Sequence, residues 1–122
     1  MLQAQSIAKV ADNSGAKTVR VFHLPGGTRK RYARIGDIVI ASVQTAEPRK
    51  NVKKKDIVKC VVVRTRNPLK RVNGSVVRFD ENAVVIVDDK KEPKSTRVFG
   101  PIPREIKAKG FEKVFSMAEE IV

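Results

Sequence analysis

This 122-residue chain contains one cysteine, one histidine, one tyrosine and no tryptophan. Each scarcity removes a class of explanation. A single thiol cannot close an internal disulfide, and Cys60, set between Lys59 and Val61, reads as a small buried residue, not a reactive one. One Cys and one His cannot make a zinc site. His23 lies on a strand whose other positions are apolar, so the sequence assigns it a packing role in place of a general base. No run approaches the ~20 apolar residues of a membrane span. No basic amphipathic helix appears, and the segment from Met1 to Val10 lacks the apolar centre of a signal peptide. The expectation is therefore a cytoplasmic protein with no membrane partner. Gly26, Gly27, Gly36 and Gly100 follow no phosphate-loop spacing, and Asp80-Glu81 and Asp88-Asp89 sit at strand ends, where acids make turns. No metal, no cofactor, no catalytic residue and no small-molecule substrate are expected, so the chain does not read as an enzyme.

Acids are also scarce, but only in part of the chain. Lys and Arg total 26 against 13 Asp and Glu, a net +13. Residues 1–78 hold 18 bases and 4 acids, net +14, whereas residues 79–122 hold 8 bases and 9 acids, net −1. An even excess could serve solubility alone. A polarised one implies a face for a polyanion, best supplied by nucleic acid, and a second face for something else.

The length suits one domain able to bury roughly two-thirds of its unfolded surface. Short strands divided by Gly, Pro, Asn and Asp clusters predict a mainly β fold: a small five-stranded β-barrel with a projecting β-ribbon and short C-terminal helices. The barrel is expected over about 1–88 and a C-terminal loop with helices over about 89–122. Strands are predicted near Ser6 to Val10, Lys17 to Leu24 with both faces mostly covered, Ile38 to Val43, from Ile57 onward, and Ala83 to Val87. Pro103 suits a first helical turn and Gly110 a helix end. Phe111, Val114, Phe115 and Ala118 fall at i, i+3, i+4 and i+7, a stripe predicted to dock on the barrel.

The segment from Lys59 to Val87 carries the ribbon. Cys60 to Val63 is an unbroken apolar run, as in a strand covered on both faces. Arg64, Thr65 and Arg66 then break the pattern, which predicts that the strand leaves the core for solvent or a partner. Asn67-Pro68 stops the ladder, and Asn73-Gly74 is predicted to supply two positive-φ positions of a hairpin turn. Arg64, Arg66, Lys70, Arg71 and Arg78 have no acid among them, so a polyanion is their expected counter-charge.

Three further loops add cations. Asn13, Ser14 and Lys17 border a turn whose backbone donors can approach a ribose-phosphate. Arg29, Lys30, Arg31, Tyr32 and Arg34 form a second, and Arg49, Lys53, Lys54 and Lys55 a third, with five bases in the seven residues 49–55. These residues are the predicted RNA contacts, through phosphates. Only Tyr32 reads as a base stacker, because Phe22, Phe79, Phe99, Phe111 and Phe115 all sit in apolar company. Folded RNA, recognised by backbone and shape, is favoured over an open strand. A single-strand or initiation-type barrel and a hydrolase built on His23, Asp80 and Glu81 are the rivals.

The spaced blocks from Val10 to Ala16, Arg31 to Ala33, Ile35 to Asp37, Cys60 to Thr65, Asn73-Gly74, Phe79, Asn82, Val85-Ile86 and Thr96 to Pro101 together resemble the universal large-subunit ribosomal protein number fourteen. The likeness spans essentially the whole chain. It departs at Cys60, where the family usually has alanine, and at Arg49-Lys50-Asn51 and Asn67-Pro68-Leu69, where the family has a glycine-containing loop. The resemblance implies a structural constituent of the large ribosomal subunit that binds large-subunit rRNA and bridges to small-subunit rRNA. It also implies contact with ribosomal proteins three and nineteen, and in bacteria and organelles a docking site for a ribosomal silencing factor. By position, Thr96, Arg97 and Lys113 fall on that surface, with Phe99 and Met117 beside them. The implied location is the cytoplasmic or an organellar ribosome.

Overall fold

The structure, a computed structural model, describes residues 2–3, 5–25, 32–48 and 52–122. The barrel strands are β1 (Ile7–Val10), β2 (Ala16–His23), β3 (Ile38–Ala46), β4 (Ile57–Arg64) and, after the hairpin strands β5 (Leu69–Lys70) and β6 (Val76–Val77), β7 (Ala83–Val87). They close in the order β1-β2-β3-β4-β7. All pairs are antiparallel except β1 with β7, where Lys9 faces Ala83 and Val10 faces Val84. Closure leaves the barrel no free edge.

Two hydrophobic clusters explain two kinds of strand pattern. The barrel interior is filled at period two by Ala8 and Val10, Val19 and Val21, Val39, Ala41 and Val43, Val58, Cys60 and Val62, and Val84 and Ile86. Outside the barrel, Val61, Val63, Val85 and Val87 meet Val98, Ile102, Ile106, Phe111 and Val114. β4 and β7 are thus covered on both faces, which is why their sequences run apolar without alternation. Cys60 is fully buried, and burial pushes its thiol well above the usual range. β2 differs from expectation: Arg20, Phe22 and His23 are exposed. Only one face of β2 is covered, because the C-terminal elements lie over β4 and β7 instead. His23 therefore has no packing role, and Phe22 is not in apolar company.

The C-terminal elements are β8 (Val98–Ile102), α1 (Glu105–Ala108), α2 (Glu112–Met117) and β9 (Ala118–Ile121), with β8 and β9 paired in parallel. Phe111 and Val114 are buried in the outer cluster, as the stripe predicts. The helix ends at Met117, however, and Ala118 opens a strand. Gly110, at φ +95°, reverses the chain between the helices. Each helix is too short to persist without this packing; burial of Phe111 alone contributes about 2 kcal/mol.

In the hairpin, Arg71 N donates to Ser75 O and Gly74 N to Arg71 O, with Gly74 at φ +88°. This is a three-residue loop with one left-handed position, not the expected pair. Asn73 instead accepts hydrogen bonds from Ser75 N and Oγ through its side chain. Arg71 anchors the hairpin: Nε lies 2.7 Å from Glu105 Oε1, and Nη2 donates to Glu105 Oε2 and, at 2.6 Å, to Val122 O. Partial burial pushes the Glu105 carboxyl up, but hydrogen bonds from Arg71 and its own backbone, with the charges of Arg71 and Arg104, outweigh this and keep it below its ordinary 4.5. A folded value below the unfolded one means the anchor stabilises above about pH 4.5 and is lost as pH falls through the folded value. In an NMR titration the Arg71 Nε–H resonance is expected to move below that pH while interior amides such as Val19 stay in place. Simultaneous change at both would mean that the anchor has no separate titration.

Candidate nucleic-acid interface

Cations reach the surface through turns that the sequence builds in the same way twice. In Arg34-Ile35-Gly36-Asp37, Asp37 N donates to Arg34 O, Gly36 has φ +87°, and Arg34 N donates to Asp37 Oδ2 at 2.8 Å. In Lys53-Lys54-Lys55-Asp56, Asp56 N donates to Lys53 O, Lys55 has φ +74°, and Lys53 N donates to Asp56 Oδ2 at 2.9 Å. Each is a tight turn whose third residue needs positive φ and whose final aspartate caps the first. Glycine meets the conformational demand in one; the other places a lysine there, at a cost of about 1 kcal/mol. Lys53, Lys54 and Lys55 are all exposed. The repeated cation-x-x-Asp spacing is the sequence signal for both turns.

The first turn faces the hairpin across a cleft of about 570 Å³ lined by Arg34, Ile35, Thr65, Asn67, Pro68, Leu69 and Lys70. Arg34 and Lys70 are the only charged residues among its described lining. Neither forms an ion pair among the described residues, and both are exposed. Lys17, at the start of β2, and Arg78, after β6, are exposed as well. Arg66 is exposed, with Nε donating to Asp80 O and its backbone N to Asn82 Oδ1. Tyr32 is exposed beside Arg34.

Other predicted contacts have their polar atoms engaged inside the chain. Arg64 and Thr65 are buried, so the strand does not leave the core where the sequence suggested. The cause is a bulge: Val62 pairs with Val84 and Arg64 with Ala83, so one extra residue enters at Val63. Alternation after Val62 would aim Arg64 into the barrel; the bulge keeps it on the outer side, where Nη1 donates to Phe99 O at 2.9 Å and Pro101 O at 3.3 Å. Glu81 approaches Nη2 at 3.5 Å. Arg71 is paired with Glu105. The expectation of a polyanion as sole counter-charge therefore fails for Arg64 and Arg71, whose carboxylates come from beyond the hairpin. Asp12, buried, accepts from Ser14 N, Ser14 Oγ and Ile86 N. Burial raises its carboxyl above the ordinary value despite those bonds. Asn13 Nδ2 donates to Thr96 Oγ1, and its Oδ1 accepts from Thr96 N and Arg97 N. The turn from Asp12 to Gly15 thus fastens the barrel to the segment just before β8. Arg29, Lys30, Arg31 and Arg49 lie outside the described residues.

On the C-terminal side, Thr96, Arg97 and Phe99 are exposed on the approach to β8 and on β8 itself. Lys113 and Met117 are one turn apart on α2, with Lys113 3.0 Å from Glu92 and Met117 half-buried against the outer cluster. Phe99 also lines an open groove of about 890 Å³ with Val76, Val77, Phe79 and Val122. No three His, Cys, Asp or Glu side chains cluster as metal ligands among the described residues, and no described helix is long and apolar enough to cross a membrane. Over residues 1–122 the chain matches the family described as ribosomal protein L14p/L23e.

Proposed function

Because the chain belongs to the ribosomal protein L14p/L23e family and so has a structural role in the large ribosomal subunit, we propose that it binds large-subunit rRNA through its cationic turns. The observation that carries this reading is the Arg34–Lys70 cleft, where cations from two distant turns share one lining with no acid among its described residues. Two like charges lining one cleft suit a phosphate between them. Lys53, Lys54 and Lys55, in the turn at the other end of β3 and β4, offer the same chemistry at a second place, and Lys17, Arg66 and Arg78 add to it. The rigid barrel fixes these groups relative to one another, so binding selects RNA already folded to match.

The near-neutral C-terminal side takes protein partners. Thr96, Arg97, Phe99, Lys113 and Met117 form the surface for ribosomal proteins three and nineteen and for a silencing factor, and bridges to small-subunit rRNA use the remaining basic loops. The exposed Phe99 favours this division of faces.

The test is a filter-binding and sedimentation series. The Arg34→Gln, Lys70→Gln double variant is expected to weaken binding uniformly across rRNA fragments, to reduce the salt slope by about two, and to shift the protein from large subunits to the top of the gradient at moderate salt. Unchanged affinity and slope would remove the cleft from the RNA interface.

A further inference from the structure

The C-terminal elements cover the barrel's outer wall over β4 and β7 and reach β3 only at Ile38. Across β1, β2, β3 and the start of β4 the register lines up outward residues in rows: Ile7, Arg20, Ser42 and Ile57, then the end of β2, Ile40 and Lys59. Among the described residues nothing covers this wall. Ile57 is 71% exposed and Phe22 44%. The β2–β3 ladder is irregular at one informative point: Val21 pairs with Ala41 and His23 with Ile40, so Phe22 and His23 together oppose a single residue. A regular strand would turn one of the two inward. This bulge leaves both exposed, side by side, next to Arg20, which has no carboxylate partner among the described residues.

A second aromatic sits at the same end. Leu2 and Ala33 exchange backbone hydrogen bonds, and Gln5 N donates to Val21 O at 2.6 Å. The N-terminal segment therefore joins the residue after Tyr32 to the residue before Phe22. Tyr32 is 47% exposed.

We propose that the Phe22 bulge is a stacking platform for an unpaired nucleobase of RNA, with Arg20 taking the adjoining phosphate. This rests on the RNA-binding reading above and specifies which part of the RNA the uncovered wall receives. An aromatic face beside an unpaired guanidinium matches the alternation of base and phosphate along a nucleotide strand. A protein-binding core would need continuous apolar area, and here Arg20, Ser42 and Lys59 interrupt it.

The experiment compares binding of the 122-residue chain to a labelled single-stranded RNA of about ten nucleotides and to the same sequence as a duplex. Phe22→Leu keeps an apolar side chain and removes the π face, so the fold persists; it is expected to weaken single-strand binding by about fivefold or more. Phe22→Tyr is expected to restore it, and duplex binding is expected to stay constant. The salt slope should not change with Phe22→Leu, because stacking releases no counterions, but should fall by about one with Arg20→Gln. If Phe22→Leu binds single strands as well as the parent does, with normal salt dependence, the stacking platform is wrong and the phosphate reading survives. If the parent binds large-subunit rRNA fragments but neither of these RNAs, the stacking platform fails and the phosphate reading survives; if it binds none of the three, both readings fail. If Phe22→Leu keeps its RNA affinity but loses retention on large subunits, the wall belongs to a protein neighbour and the proposal is overturned.

Discussion

Replacing Arg64 with Met is expected to lower the stability of the fold by about 3 kcal/mol, read as a drop of roughly 10 °C in Tm. Arg64 is only 5% exposed, and its guanidinium is the donor for two carbonyls of β8, Phe99 O and Pro101 O. Methionine fills much the same length but donates nothing, so both part-buried carbonyls lose that bond. Glu81 suffers less, since it is partly exposed and also lies 3.6 Å from Lys9. Gly100 depends on the same contact. It has φ +79°, and a Cβ there would stand 2.3 Å from Arg64 Nη1, so Gly100→Ala combines backbone strain with displacement of the guanidinium and is expected to cost about 2 kcal/mol. Because both substitutions break one arrangement, the double variant is expected to fall well short of their sum in urea unfolding. Full additivity would show that Arg64 and Gly100 act separately. Meanwhile Arg64→Met, measured at a temperature where it remains folded, is expected to keep the parent's salt slope, since this arginine faces β8.

RNA affinity is expected to fall about a thousandfold between 50 and 200 mM monovalent salt if some six phosphates are neutralised, a log–log slope near −5. Cations able to do this include the exposed Lys17, Arg34, Lys53, Lys54, Lys55 and Lys70, none of which has an ion pair among the described residues. Removing the three lysines of one turn as Lys53→Gln, Lys54→Gln, Lys55→Gln is expected to flatten the slope by nearly three, because each lost phosphate contact withholds about one counterion. Arg71→Gln provides the contrast. Its charge is matched by Glu105 at 2.7 Å, so the slope is expected to hold while the hairpin loosens. A flat response to salt in the parent would overturn the electrostatic mechanism, and a reduced slope in Arg71→Gln would mean that the arginine leaves Glu105 for RNA.

Much of this was legible in the chain itself. Alternation at period two reveals a β-barrel because the strands of a closed sheet must each present one face to a shared interior. The apolar runs Cys60 to Val63 and Ala83 to Val87 announce strands covered twice, since no polar residue can be left on either face. The division of charge near residue 78 separates a cationic part from a near-neutral one, and the spaced family blocks carry the ribosomal role. The folded arrangement alone decided the rest. Whether a cation is free depends on which carboxylates and carbonyls the topology brings to it, and Glu81, Glu105 and β8 are 17, 34 and about 35 residues from the arginines they bind. Bulges were equally invisible, because an extra residue at Val63 or at Phe22 leaves composition and spacing intact while changing the direction of one side chain. Pattern and charge determined what kind of protein this is. Tertiary pairing determined which of its cations remain for RNA, because charges are neutralised through space and not along the chain.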